Sequence, residues 1–349
     1  MTFVRNGWYC AGWGQDLGAT PRAITIMGEA IVLFRGSDGQ VTALADRCPH
    51  RFAPLSAGKV IGSHIECGYH GLRFDAEGRC VHNPHRPGAI PAAARVKSYP
   101  VVERDTTLWL WMGAPERAAA ASILDLGSFW DLSAHSIIYG SFTLEAHYEL
   151  VLDNLLDLSH APYLHAGTLS NGPDEVSQLR VETKQEGSVV IANHWVSGVA
   201  PTPQFAPPWK ARAPVGDFRS NMRWSPPCSL QHDVGITEVG RAPQDGPYLH
   251  FAHLLTPATE RETHYFWAAA RNFDIGDEKV SEALRAGISN AFITEDKPMI
   301  EAVQQRMGNR DLFELEPVLL AGDNASVRVR RVLDKLRKAE QAAPSSGAA

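Results

Sequence analysis

Four residues in one short stretch have the types and spacing of a metal site. Cys48-Pro49-His50 is followed, after sixteen residues, by Cys67-Gly68-Tyr69-His70. Zinc is a competing occupant, but zinc sites group like ligands into C-x₂₋₄-C and H-x₃₋₅-H pairs. Here each pair mixes one thiolate with one imidazole. That suits a two-iron cluster in which two cysteines hold one iron and two histidines the other, a Rieske [2Fe–2S] centre. Exchanging two anionic thiolates for neutral imidazoles raises the reduction potential. His50 and His70 would mark the outer end, where electrons pass. Pro49, Pro54, Gly58, Gly62, Gly68 and Gly71 fit tight loops that bring backbone amides near the sulfurs.

A second constellation lies in YELVLDNLLDLSHAPYLH, residues 148–165. On a helix, at 100° per residue, Asp153, Asn154, Asp157 and His160 share a face about 120° wide. Val151, Leu152, Leu155, Leu156 and Leu158 cover most of the remainder. A helix this apolar is buried, so its polar stripe must face something, and buried carboxylates need a metal or a partner. His160 and His165 would diverge by about 140° on an unbroken helix. Pro162 is expected to end the helix between them, letting both imidazoles curl toward one ion. Two histidines and one carboxylate make the facial triad of non-heme Fe(II), which leaves a face open for O₂. The carboxylate must come from elsewhere in the chain, and Asp153 could orient a ligand histidine instead of binding metal.

Residues 1–115 read as an all-β domain of strand-length runs such as AITIMGEAIVLF, VTALAD and TTLWLWM, with Gly/Asp turns between them. Ala114–Ala121 reads as a connector. Residues 120–343 read as α+β: an antiparallel sheet from runs within 180–273, with helices over His147–Ser159, Asp277–Met307 and Ala325–Ala342. Ala200–Pro227 is Pro-rich and reads as a long loop, and 344–349 as a disordered tail. The chain has 349 residues, 44% hydrophobic and 21% charged, with a net charge of −6. That composition excludes a wholly disordered chain and gives no basic excess for nucleic acid or an anionic membrane. No apolar run approaches the roughly 20 residues of a bilayer span. The first residues lack a signal-peptide core, so a cytoplasmic protein is expected. Cys10, Cys80 and Cys228 are then free structural thiols.

CPHRFAPLSAGKVIGSHIECGYHGLRFD resembles the cluster segment of Rieske non-heme iron oxygenases. FVRNGWYCAGW and CVHNPHRPGAIPAAARVKSYPVVERDTTLWLW resemble the vanillate O-demethylase and dicamba monooxygenase branch of that family. The resemblance implies a Rieske domain followed by a helix-grip-like catalytic domain. It also implies a [2Fe–2S] cluster, Fe(2+), a reductase fed by NAD(P)H, and head-to-tail homotrimers. It places the third iron ligand in TEDKPMIEAV, at Asp296, with Glu295 as the alternative. Asn154 matches a position beside the iron. Asp157 matches an aspartate that links a cluster histidine, His70, to an iron ligand, His160, across the subunit interface. His232 and His253 fall where relatives hold substrate, and both could donate to a carboxylate or phenol.

The implied activity is that of a monooxygenase acting on an aromatic acid, with oxidative O-demethylation and formaldehyde release as the leading reaction. Methyl or ring hydroxylation and ring dihydroxylation are alternatives within the same chemistry. A Rieske electron carrier or a zinc-stabilised binding protein is the alternative from another class. It would leave the last two thirds of the chain unexplained.

Overall fold

The computed structural model describes residues 3–85, 89–127, 131, 133–173, 179–209 and 212–342. The expected disordered tail lies outside them. The chain divides into two compact units, Phe3–Ile123 with Thr256–Thr259, and Leu124–Leu255 with the residues from Glu260 on.

The first unit is all β and holds three sheets. β1 (Trp8–Trp13), β10 (Val101–Arg104) and β11 (Thr107–Trp111) form one. β2 (Arg22–Ile26), β3 (Glu29–Arg35), β4 (Val41–Ala45) and β9 (Ser98–Tyr99) form the second. β5 (Lys59–Ile61), β6 (His64–Glu66), β7 (Arg73–Phe74) and β8 (Cys80–His82) form the third. The apolar run AITIMGEAIVLF is not continuous: Met27 and Gly28, both at positive φ, turn it into the β2–β3 hairpin. The connector expected at Ala114–Ala121 packs onto this unit, where Trp8 Nε1 donates to the Ala119 carbonyl at 3.1 Å and Trp111 Nε1 to that of Ala114 at 2.9 Å.

The second unit is built on a seven-stranded sheet in the order β12-β18-β17-β16-β15-β14-β13. Its strands are β12 (Ser136–Leu144), β13 (Arg180–Glu186), β14 (Val189–Val199), β15 (Gly216–Ser225), β16 (Ser229–Thr237), β17 (Tyr248–Thr259) and β18 (Glu262–Arg271). Strands β13 to β18 follow one another as a meander, and β12 closes beside β18. The long loop expected over Ala200–Pro227 is therefore shorter, because Gly216–Ser225 pairs on both sides as β15. Composition misled there: the prolines sit at the ends, while FRSNMRW alternates as a strand does.

Helices pack on this sheet, as an α+β fold requires. α1 spans Tyr148–Leu156 and ends well before His160. Pro162 does not terminate it. It sits in the first turn of the short α2, Ala161–Leu164, where a missing N–H is tolerated. The helix expected over Asp277–Met307 is three pieces: α3 (Glu278–Asn290), a π-helical stretch (Ala291–Asp296) and α4 (Lys297–Met307). Pro298 can donate nothing to a carbonyl one turn back, and its ring clashes there in a regular helix. The wide turn accommodates that misfit. α5 covers Asn324–Ala342.

α1 and α5 meet through buried charge. Arg330 donates to Glu149 at 2.8 Å and to Asp153 at 2.6 Å, and Arg337 also reaches Glu149. Asp153 is thus engaged by an arginine 177 positions away and orients no ligand histidine. The single polar stripe read from the sequence serves two places, Asp153 toward α5 and Asn154 toward the pocket.

Candidate active site

In the first unit the cluster motif lies on two loops of matching design. Cys48 N donates to the Ala53 carbonyl and Phe52 N to that of Cys48, each at 2.9 Å. Cys67 N donates to the Leu72 carbonyl at 2.8 Å, and Gly71 N to that of Cys67 at 3.0 Å. The fifth residue of each loop is left-handed, Phe52 at φ 60 and Gly71 at φ 72. The loops are close-packed: a Cβ on Gly58 would lie 2.0 Å from the Glu66 carbonyl oxygen. Asp46 pins the first loop by accepting from the amide and hydroxyl of Ser56, at 2.7 and 2.6 Å.

Both sulfurs are sealed in a core with Phe34, Leu44, Ile65 and Phe74. The His50 and His70 rings lie 4.4 Å apart at the outer side of a shallow cavity. Burial, and then the neighbouring Cys67, pushes the Cys48 thiol up to about 11, although the backbone amides of His50 and Arg51 bond to its sulfur. Two adjacent buried thiols can ionise together only around cations. Two cysteines inside and two histidines outside fit a Rieske cluster, and a closed zinc site gives no reason for that asymmetry.

In the second unit three groups converge. His160 Nε2 lies 3.3 Å from His165 Nε2 and 3.5 Å from Asp296 Oδ1, and His165 Nε2 lies 3.2 Å from the same oxygen. Their protonation follows from the outer nitrogens. His160 Nδ1 donates to the Asp157 carbonyl at 2.6 Å, and His165 Nδ1 to Glu295 Oε2 at 2.6 Å. Neutral imidazoles held this way turn two lone pairs and a carboxylate oxygen toward one point. A metal cation would satisfy that arrangement, as would a proton on His165 Nε2 shared with Asp296. Burial lowers the His160 pKa. At His165 burial also pulls down, but Asp296 and then Glu295 outweigh it and the net direction is up. The donor set, two imidazoles and one carboxylate, fits non-heme Fe(II).

The π-helical stretch separates Glu295 from Asp296, since it puts consecutive carboxylates on opposite edges of one imidazole. Asp296 meets the inner nitrogen of His165. Glu295, steadied by Thr168 Oγ1 at 2.9 Å, meets the outer one, as a carboxylate does behind a metal-bound histidine. Asn154 Nδ2 donates to Asp296 Oδ1 at 3.1 Å and is 3.5 Å from His160 Nε2. Asp157 contacts His160 through its backbone carbonyl. Its Oδ1 caps the next turn by accepting from the Ser159 amide at 3.0 Å.

These groups open onto a cavity of about 130 Å³. Alternate residues of successive strands make its wall: His194 and Val196 from β14, Ser220 and Met222 from β15, His232 and Val234 from β16, Phe251 and His253 from β17. No lysine or arginine lines it among the described residues. His232 and His253 are in that wall as expected, but neither has a nitrogen to spare. A chain runs from Ser220 Oγ to His232 Nε2 (2.6 Å), from His232 Nδ1 to His253 Nε2 (3.3 Å), and from His253 Nδ1 to the Tyr265 hydroxyl (2.7 Å). Burial pushes His232 down to about 3 and His253 well below its ordinary value, so both are neutral. Ser220, Tyr265, His194 and Thr202 escape sequence inspection. Only His194 leaves a signal, on the buried face of VVIANHWV with Val190, Ala192 and Val196.

Residues 7–100 match the Rieske [2Fe-2S] domain, and residues 144–339 match the vanillate O-demethylase oxygenase C-terminal domain. The chain belongs to the Rieske non-heme iron oxygenases. It is 38% identical to the dicamba O-demethylase oxygenase component of Stenotrophomonas maltophilia, over 98% of this chain and 100% of that one. It is 37% identical to the chloroacetanilide N-alkylformylase oxygenase component of Rhizorhabdus wittichii, over 97% of each. Crystal structures of dicamba monooxygenase superpose with a TM-score of 0.93 when bound to 3,6-dichlorosalicylic acid (36% identity, 98% and 100% coverage). The form with non-heme iron and dicamba gives 0.86 (35%, 98% and 99%). This Rieske oxygenase is therefore the O₂-dependent monooxygenase component of a multicomponent system, with a [2Fe–2S] cluster and a mononuclear iron as cofactors and a reductase as electron source. The oxygenase reading is favoured over an isolated Rieske carrier or a zinc-stabilised binding protein. No described helix is long and apolar enough to cross a membrane.

Proposed function

We propose that this oxygenase O-demethylates a single-ring methoxylated aromatic acid, releasing formaldehyde. The observation that carries the reading is the apolar cavity beside His160, His165 and Asp296. Its volume of about 130 Å³ is close to the roughly 150 Å³ of an engineered cavity in another protein that takes up one benzene ring. Cys48, His50, Cys67 and His70 would hold the cluster, and His160, His165 and Asp296 the iron. When bound, these groups supply single-electron relay and activation of dioxygen. The overall change balances: a methoxy carbon gains one oxygen, and the other leaves as water with two protons and two electrons from NAD(P)H. The hemiacetal then breaks its C–O bond to give a phenol and formaldehyde.

The residues of the chain do the positioning. Val196, Met222, Val234 and Phe251 exclude water and hold the ring. Glu295 fixes the tautomer of His165, and the Asp157 carbonyl that of His160. Asn154 holds the Asp296 carboxylate in place. The chain from Tyr265 through His253 and His232 to Ser220, polarised in that direction, leaves the Ser220 hydroxyl to donate to the substrate's acid group. The histidines so act through the serine.

A homotrimer in the cytoplasm, with cluster and iron of neighbouring copies serving each other, goes with this reading, and so does a bridging role for Asp157. Its Oδ1 is held by Ser159, while Oδ2 has no partner among the described residues. Asp157→Asn is expected to keep both metals and slow reoxidation of a pre-reduced cluster in a single turnover by more than about tenfold. Unchanged kinetics would remove the bridging role. The function itself is tested by screening methoxylated benzoic acids with a surrogate reductase. Formaldehyde stoichiometric with NADH supports it, and a hydroxylated product without formaldehyde overturns it.

A further inference from the structure

His194 is buried at 2% exposure, and its Nε2 has no hydrogen-bond partner among the described residues. Its Nδ1 donates to the Ser220 carbonyl at 3.2 Å. In the neutral ring that leaves Nε2 as a bare acceptor. Burial lowers the pKa of this imidazole, which keeps the ring neutral. Thr202 lies in the same cavity wall, 3% exposed, and its hydroxyl is also without a partner. Of the other polar groups in that wall, Asn154 is engaged with Asp296, and His232 and His253 within their chain. A buried polar atom left unsatisfied costs about 1–3 kcal/mol, so two in one ligand-sized cavity point to a ligand that satisfies them.

We propose that His194 is a specificity-determining residue whose Nε2, with Thr202 Oγ1 in the same cavity wall, selects ring substrates carrying an O–H or N–H donor. The proposal rests on the aromatic-demethylase reading and adds that the substrate presents a phenolic hydroxyl or an amino group as well as its methoxy group. The acceptor on His194 then accompanies the donor that Ser220, its cross-strand neighbour, offers to the acid group. A substrate lacking the donor leaves Nε2 unpaired and is rejected, in the way that sites built to bond a hydroxyl reject its absence.

Equilibrium binding to the intact holoprotein under anaerobic conditions tests this with matched probes. These are 4-hydroxy-3-methoxybenzoate, 4-amino-3-methoxybenzoate, 3-methoxybenzoate and 3,4-dimethoxybenzoate. The wild type is expected to bind the first two about 5- to 150-fold tighter than the last two. His194→Phe is expected to erase that preference, and His194→Gln, which retains an acceptor, to recover part of it. The visible spectrum of the cluster and the melting temperature report whether each variant is folded. If His194→Phe does not fold, the Gln and Thr202→Val variants carry the comparison. A wild type that binds all four alike or none of them, or variants that retain the full preference, overturns the proposal. Formaldehyde release is read separately. Donor preference without formaldehyde refutes only the demethylation, and formaldehyde from all probes alike refutes only the selection.

Discussion

His165→Ala is expected to yield a protein that keeps the visible spectrum of its cluster and loses its mononuclear iron. Iron should fall from about three to about two per chain, with two sulfides unchanged. His160→Ala should behave the same way. The two inner nitrogens and the Asp296 oxygen lie within 4.8 Å of one another, and removing one leaves a two-ligand site. Glu295→Gln provides the graded comparison. It spares His160, His165 and Asp296 and weakens only the bond that orients His165, which costs roughly 10- to 100-fold in metal affinity or activity where a histidine is a metal ligand. Loss of a ligand itself should exceed that and abolish product formation. Metal and sulfide analysis beside single-turnover assays decides the matter. Loss of cluster and iron together in the alanine variants, or normal iron content, would break the assignment of separate sites.

Arg330→Met is expected to produce the largest loss of stability in the catalytic unit. The guanidinium is 3% exposed, and its partners Glu149 and Asp153 are 1% and 24% exposed. Burial pulls the Arg330 pKa down, but Asp153 and then Glu149 more than offset it and keep the group charged. Taking the cation away strands the Asp153 carboxylate and leaves Glu149 with Arg337 alone, which costs about 3–5 kcal/mol. For a unit of this size that lowers Tm by roughly 6–20 °C. The double variant Arg330→Met, Asp153→Asn should regain part of the loss, because the stranded charge rather than lost packing dominates. Asp153 precedes Asn154 on α1, so iron occupancy should fall with stability. A melting temperature within about 2 °C of wild type would show that the cluster of charges is not structural.

Much of the site was legible in sequence because its signals are local. Cys48, His50, Cys67 and His70 sit in two loops of matching design that bring the two imidazoles together. His160 and His165 lie on one short segment. Other features depend on contacts between distant segments. The expected helix through His160 fails because Asp157 leaves the helical conformation and caps a new turn with its own side chain. Asp153 looked available to a histidine until α5 brought Arg330 against it. His232 and His253 fell in the cavity wall, yet their nitrogens are used up by Ser220 and Tyr265 from flanking strands.

The amino-acid order alone pointed to the class of chemistry, since mixed thiolate–imidazole pairs admit few metals, and the family resemblance supplied the carboxylate that the histidine pair lacked. It also pointed to a β-rich part followed by an α+β part, because strand alternation and loop spacing are short-range properties. Tertiary packing decided which of two neighbouring acids faces the paired imidazoles, through a π-helical turn that propensity does not announce. It also decided which polar atoms in the cavity remain free, because a hydrogen bond consumes a donor or acceptor only when strands far apart in sequence are laid side by side.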